Sequence, residues 1–163
     1  MGQVRFRSAV APLRRRFQPA PSVLPAVDDI VRDLRPVDPL HCIRPAVLTE
    51  TAARFVAAFP GTVLYAVKCN PEPAVLRALH AGGVRHFDCA SPAEVRLVRQ
   101  LFPAAEIHYM HPVKSPHAIR EAWSRHGVRD FSLDSEEEIE KVVAETDGAS
   151  DLGLFVRLAL PKG

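Results

Sequence analysis

Two rhythms of apolar residues take turns along this chain: short continuous apolar runs, and longer stretches with an apolar residue every third or fourth position. The clearest run is Val63-Leu64-Tyr65-Ala66-Val67-Lys68-Cys69-Asn70-Pro71, which predicts a buried strand ending in one lysine and a helix opened by Asn70-Pro71. That helix carries Val75, Leu76 and Leu79 on one face and stops at Gly82-Gly83. The alternation then continues. Val84 to Cys89 is a predicted strand, and Ser91-Pro92-Ala93-Glu94 opens a helix with Val95, Val98 and Leu101 that Pro103 stops. Ile107 to Met110 is the next strand, followed by a helix from Ser115-Pro116 with Ile119 and Trp123, ended by Gly127. Val128 to Leu133, a helix capped by Ser135 with Ile139, Val142 and Val143, and a strand from Leu152 to Leu160 complete the series.

The junctions mark the helices independently of the apolar pattern. Asn70-Pro71, Ser91-Pro92 and Ser115-Pro116 each offer a capping side chain before a proline, and a proline at the first helical position gives up an N–H that has no partner anyway. Ser91 with Glu94, and Ser135 with Glu138, read as capping boxes. Upstream, Leu40-His41-Cys42-Ile43 is a short apolar segment, and a helix with Leu48, Ala52, Phe55 and Phe59 on one face runs to Pro60-Gly61.

The strand starts at Val63, Val84, Ile107, Val128 and Leu152 lie 21, 23, 21 and 24 residues apart, which is a repeat of βα units. Gly83-Val84-Arg85-His86-Phe87-Asp88 is echoed by Gly127-Val128-Arg129-Asp130-Phe131-Ser132, 44 residues on. Such a repeat implies a parallel sheet with right-handed crossovers. A doubly wound sheet would show a glycine-rich phosphate loop after its first strand, and no such loop is present. The fold expected is therefore α/β, a (β/α)8 TIM barrel, which needs roughly 250 residues for all eight units. With about six strands in sight, the barrel stops early.

Composition narrows the reading. A chain of 163 residues suffices for one domain with a core, and no apolar run reaches the roughly 18 residues of a membrane helix. Residues 1–27 hold five arginines, four prolines and no acid, so residues 1–37 are expected to form a mobile Arg/Pro-rich arm ahead of a barrel domain over 38–163. The arm's composition also fits a mitochondrial transit peptide, although its prolines spoil a long amphipathic helix. Without those arginines the remainder has 16 basic and 19 acidic residues, which argues against a nucleic-acid surface. Cys42, Cys69 and Cys89, odd in number and without metal-ligand spacing, read as reduced cysteines of a cytoplasmic protein, two of them inside strands. The seven histidines show no zinc spacing either, so no metal is expected.

Parallel α/β folds bind ligands at the carboxyl ends of their strands. There the sequence places Lys68 and Asn70, Asp88 and Ser91, His111 and Lys114, Asp134, and Arg157. A lysine desolvated at the end of an apolar strand would be nucleophilic toward aldehydes and suited to a Schiff base. The alternative is a lysine that snorkels to solvent. Asp88 could accept from a rim cation or merely satisfy loop donors, and Glu94 is already accounted for by its capping box. Arg157, in Leu154-Phe155-Val156-Arg157-Leu158, calls for a nearby carboxylate, with Asp88 the candidate by position. His111 and Lys114 read as a solvated basic loop. No serine or cysteine has an evident base for a hydrolase triad.

Tyr65-Ala66-Val67-Lys68-Cys69-Asn70, followed by His86-Phe87-Asp88-Cys89-Ala90-Ser91 and Glu94, resembles the N-terminal barrel of the fold-type III pyridoxal-phosphate decarboxylases, the ornithine/lysine/diaminopimelate decarboxylase family with its alanine-racemase-type barrel. The ornithine decarboxylase branch is the nearest look, and Met110-His111-Pro112-Val113-Lys114 resembles a loop of bacterial ornithine/lysine enzymes. The resemblance runs from about Pro39 to Leu160. It implies that Lys68 holds pyridoxal 5'-phosphate through a Schiff base and exchanges it for the substrate amine, and that Asp88, Glu94 and Arg157 belong to the cofactor side of the site. It further implies decarboxylation of ornithine or lysine to putrescine or cadaverine, in a homodimer. In this family the glycine-rich phosphate loop, the glutamate facing the pyridine nitrogen and the C-terminal β-domain come later than Gly163. The chain is thus expected to be an N-terminal portion with little activity alone, its last strand an unpaired apolar edge prone to aggregation. Two alternatives stand beside this: a non-catalytic homologue that binds a protein partner, of the antizyme-inhibitor type, and an alanine-racemase-like enzyme.

Overall fold

The computed structural model describes residues 25–160. The expected mobile arm lies, for residues 1–24, outside them. The chain divides into two compact units at Cys42 and Ile43. Of the first unit, the described part contains one helix, α1 (Val27–Leu34), closed by Arg35 in the left-handed region at φ 42. Val27, Ile30, Val31 and Leu34 fall on one face of it, a periodicity that the charge pattern of the arm obscured. Pro25 and Pro36 flank this segment and do not interrupt it.

In the second unit α2 (Pro45–Ala58) is followed by β1 (Leu64–Ala66), a 3₁₀ turn (Val67–Cys69) and α3 (Pro73–Ala81). Then come β2 (His86–Cys89), α4 (Pro92–Leu101), β3 (Glu106–Tyr109), α5 (Pro116–His126), β4 (Asp130–Leu133), α6 (Glu136–Glu145) and β5 (Gly153–Val156). The strands form one sheet in the order β1-β2-β3-β4-β5, every pair parallel. When strand order follows chain order, right-handed crossovers carry every helix to the same face. This is the arrangement of a barrel wall, not of a doubly wound sheet, whose order reverses at a switch point. Five strands are present among the described residues, one fewer than expected. Leu40–Ile43, bracketed by Pro39 and Pro45, stays unpaired, with Leu40 and Ile43 exposed.

The core lies between sheet and helices. Phe87, Cys89, Ile107, Tyr109 and Phe131 point one way from their strands and pack with Leu76, Val95, Val98, Ile119 and Val142 of the helices. Residues between them on each strand face the other way, because strand side chains alternate. That second face is polar: His86 and Asp88 on β2, His108 on β3, Asp130 and Ser132 on β4. Arg96–Glu121 at 2.8 Å and Arg120–Glu145 at 2.7 Å link successive helices on the outside, each such exposed pair worth roughly 0–1 kcal/mol. Apolar residues of β5 and beyond, Leu154, Phe155, Val156, Leu158 and Leu160, are exposed along the sheet edge, as the sequence led one to expect. No helix among the described residues is long and apolar enough to cross a membrane.

Candidate active-site cleft

Three of the four helix starts are capped as predicted: Ser91, Ser115 and Ser135 accept from the N–H of Glu94, Ala118 and Glu138 at 3.3, 3.2 and 3.3 Å. The junction after β1 is different. Asn70 Oδ1 accepts from the Glu72 N–H at 3.0 Å, a local turn that competes with helix capping, and α3 begins only at Pro73. As a result Val67–Cys69 closes into the 3₁₀ turn, with Val67 buried and Lys68 and Cys69 exposed. This corrects two expectations. Lys68 is exposed on the turn and not desolvated at a strand end, and Cys69 is not inside a strand. Cys89 is, and burial pushes its thiol far above the usual range.

The turn delivers Lys68 to the carboxyl end of the sheet, where it lines a cleft of about 380 Å³ with Asp88, Met110, Ser132, Phe155, Val156 and Arg157. Lys68, Asp88 and Arg157 are thereby brought to one site from the carboxyl ends of β1, β2 and β5. Asp88 is half-buried, and burial pushes its carboxyl above the usual range. Lys68 and His108 pull it back and Glu94 adds to the rise. Arg157 is exposed, its N–H bonded to Leu133 O at 2.9 Å, and among the described residues it makes no ion pair with Asp88 or any other carboxylate. Glu94 stands apart from the cleft wall. Its Oε2 accepts from the Ala90 N–H at 2.7 Å, one residue upstream of the capping serine, so it braces the loop that follows Asp88.

The loop after β3 overturns the solvated reading of Lys114. This residue is 3% exposed, with Nζ donating to the carbonyls of Ser132 at 2.5 Å, His111 at 3.0 Å and Pro112 at 3.3 Å. Nζ also lies 3.2 Å from Glu138 Oε2. Burial pulls the Lys114 amine below the ordinary lysine range although Glu138 opposes it. Glu138 is therefore not the returning half of a capping box. Its carboxylate also pairs with Lys141, whose Nζ reaches Lys114 O at 2.7 Å. Burial pushes Glu138 up, but its hydrogen bonds with Lys141 and Lys114 outweigh that and leave it below the usual glutamate range.

Sequence reasoning also missed a polar row below the cleft. His86 Nδ1 is 2.9 Å from His108 Nε2, and His108 Nδ1 is 2.6 Å from Asp130 Oδ2, a close approach poorly aligned for a hydrogen bond. His108 is 8% exposed, and burial pulls it below the ordinary histidine range against the opposing carboxylate. Gly153, the register partner of Asp130, makes the row possible: a Cβ there would collide with the Asp130 carboxylate. The three residues lie about 22 positions apart in sequence, and the only signal for them was the βα repeat itself. Among the described residues no cluster of His, Cys, Asp or Glu could hold a metal ion.

Comparison with known proteins places this geometry. The chain is 43% identical over 91 residues to ornithine decarboxylase of Mus musculus, a match covering 55% of this chain and 19% of that protein. It is 41% identical over 95 residues to antizyme inhibitor 2 of Rattus norvegicus, covering 58% of this chain and 20% of that one. Against the lysine/ornithine decarboxylase of Vibrio vulnificus, solved with putrescine, the TM-score is 0.60 at 33% identity, over 72% of this chain and 32% of that structure. The chain thus spans about a fifth of the length of the curated relatives it matches. The model of the pyridoxal-dependent decarboxylase family's pyridoxal-binding domain matches residues 46–162, and the chain belongs to that family.

Proposed function

We propose that this chain supplies the amine side of the site in a pyridoxal-phosphate-dependent decarboxylase acting on ornithine or lysine, with Lys68 as the group that captures the cofactor. The observation that carries the reading is the convergence of Lys68, Asp88 and Arg157 on one cleft at the carboxyl end of the sheet. The residues fit the cofactor family. A primary amine suits an aldehyde, a guanidinium suits an anionic oxygen, and a carboxyl with a raised affinity for protons can hold or accept one beside the amine. Of the three described lysines, Lys114 and Lys141 are committed to Glu138 and to backbone carbonyls, which leaves Lys68 as the amine open to reaction.

Bound pyridoxal phosphate supplies the electron sink for loss of CO₂ from an amino acid's α-carbon. The chain's own contribution is placement. The 3₁₀ turn holds the Lys68 amine at the rim, Asp88 sits half-buried nearby to exchange a proton with it, and Arg157 offers a cation from the last strand. Glu94 serves this arrangement through the Ala90 N–H, by fixing the loop behind Asp88. A homodimer and a cytoplasmic setting belong to the same proposal.

A second reading has support in the comparisons, because the match to antizyme inhibitor 2 is as close as the match to ornithine decarboxylase. In it the protein acts by binding another protein and releases no CO₂. The test treats the chain with pyridoxal phosphate, reduces it with borohydride and maps the label by mass spectrometry. Label on Lys68, lost in Lys68→Ala, is the expected result; a spread over all lysines would sink the proposal. Release of CO₂ from ornithine or lysine by the full-length protein then separates the enzyme from the binding protein.

A further inference from the structure

Ser132 sits near the carboxyl end of β4, on the face of the sheet opposite the helices, and lines the same cleft as Lys68, Asp88 and Arg157. It is 2% exposed, and its hydroxyl has no hydrogen-bond partner among the described residues. Buried polar groups are almost always paired, so a hydroxyl left idle is an exception that needs a reason. Its flanking neighbours are apolar: Phe155 stands opposite it in register on β5 and Met110 shares the cleft wall. Nor is Ser132 loosely placed. Its carbonyl accepts from the buried Lys114 Nζ at 2.5 Å, and Lys114 is in turn held by Glu138, so the backbone that presents the hydroxyl is fixed from behind. A serine hydroxyl offers one donor and two acceptor positions, all of them unspent here.

We propose that Ser132 is a binding residue of the cleft, its hydroxyl forming a hydrogen bond with the pyridoxal cofactor that Lys68 captures. This rests on the proposed role of Lys68. The idle hydroxyl costs the free protein stability and returns it when the ligand arrives, which is how a binding residue differs from one kept for packing.

The experiment titrates the chain with pyridoxal phosphate, following the near-ultraviolet absorbance of the Schiff base, and records thermal unfolding of each unliganded variant. Loss of one neutral hydrogen bond should weaken binding about five- to tenfold in Ser132→Ala. Ser132→Thr, which keeps the hydroxyl, should recover most of that loss. The unliganded Ser132→Ala protein should unfold at the same temperature as the parent or higher, since an unpaired polar group has been removed. Unchanged affinity in Ser132→Ala, or a weakened affinity that comes with a lowered unfolding temperature and is not rescued by threonine, overturns the proposal. Both of those outcomes leave the Lys68 assignment standing if Lys68→Ala abolishes the absorbance. Failure of the parent chain to form any Schiff base overturns both.

Discussion

Removing the buried Lys114 amine should destabilise the fold strongly. In Lys114→Met the aliphatic stem is kept, while three backbone carbonyls and the Glu138 carboxylate lose their donor. Taking one partner from a buried ion pair costs roughly 3–5 kcal/mol, because the remaining charge is left uncompensated. Here Lys141 still contacts Glu138 from a partly exposed position, so the expected loss is about 2–4 kcal/mol. With a urea dependence of about 2 kcal/mol per molar for a domain this size, the unfolding midpoint should fall by roughly 1–2 M. The double variant Lys114→Met/Glu138→Gln should recover part of the loss, since the orphaned charge is gone. Equilibrium urea unfolding followed by circular dichroism measures both. A single variant within about 0.5 kcal/mol of the parent, the range of an ordinary surface substitution, would refute the buried network.

Two further outcomes follow from the same geometry. Because Glu138 lies below the usual glutamate range in the folded state, its contribution is complete above the unfolded value of roughly 4.3 and is lost as pH falls through the folded one. The stability gap between the parent and Glu138→Gln should therefore narrow as pH falls below about 4.3, and a gap that stays constant there contradicts the assignment. Gly153→Ala should drive the Asp130 carboxylate away from His108 at a cost of roughly 1–3 kcal/mol. With that carboxylate displaced, His108 should titrate at lower pH still, read from its ring protons by NMR; an unmoved titration would show that the row tolerates the added methyl.

How much of this was legible in the sequence depends on the range of the interactions. The βα series and the serine caps were, because apolar spacing and capping chemistry act within a few residues. Lys68, Asp88 and Arg157 could be placed at one rim because topology alone carries strand ends there. The start of α3 was misplaced because Asn70 can serve a turn as readily as a cap, and nothing local decides between them. Lys114 was misjudged for a different reason. The loop around it is polar in sequence, and its burial depends on Glu138 and on the Ser132 carbonyl, 24 and 18 residues away. The meeting of His86, His108 and Asp130 likewise depends on register across three strands, which periodicity does not fix.

The strand order has a last consequence. Lys68 follows β1 and Arg157 follows β5, so within the sheet the two sides of the cleft are joined through four successive ladders. Each ladder is a link in a measuring chain: a slip of one residue in any of them would displace Arg157 relative to Lys68 by about 3.3 Å and turn a strand's cleft residues toward the helices. The distance between those two side chains is thus a gauge of the whole wall, and a pair of probes at these positions would detect a misregistered sheet however far from the cleft the error lay.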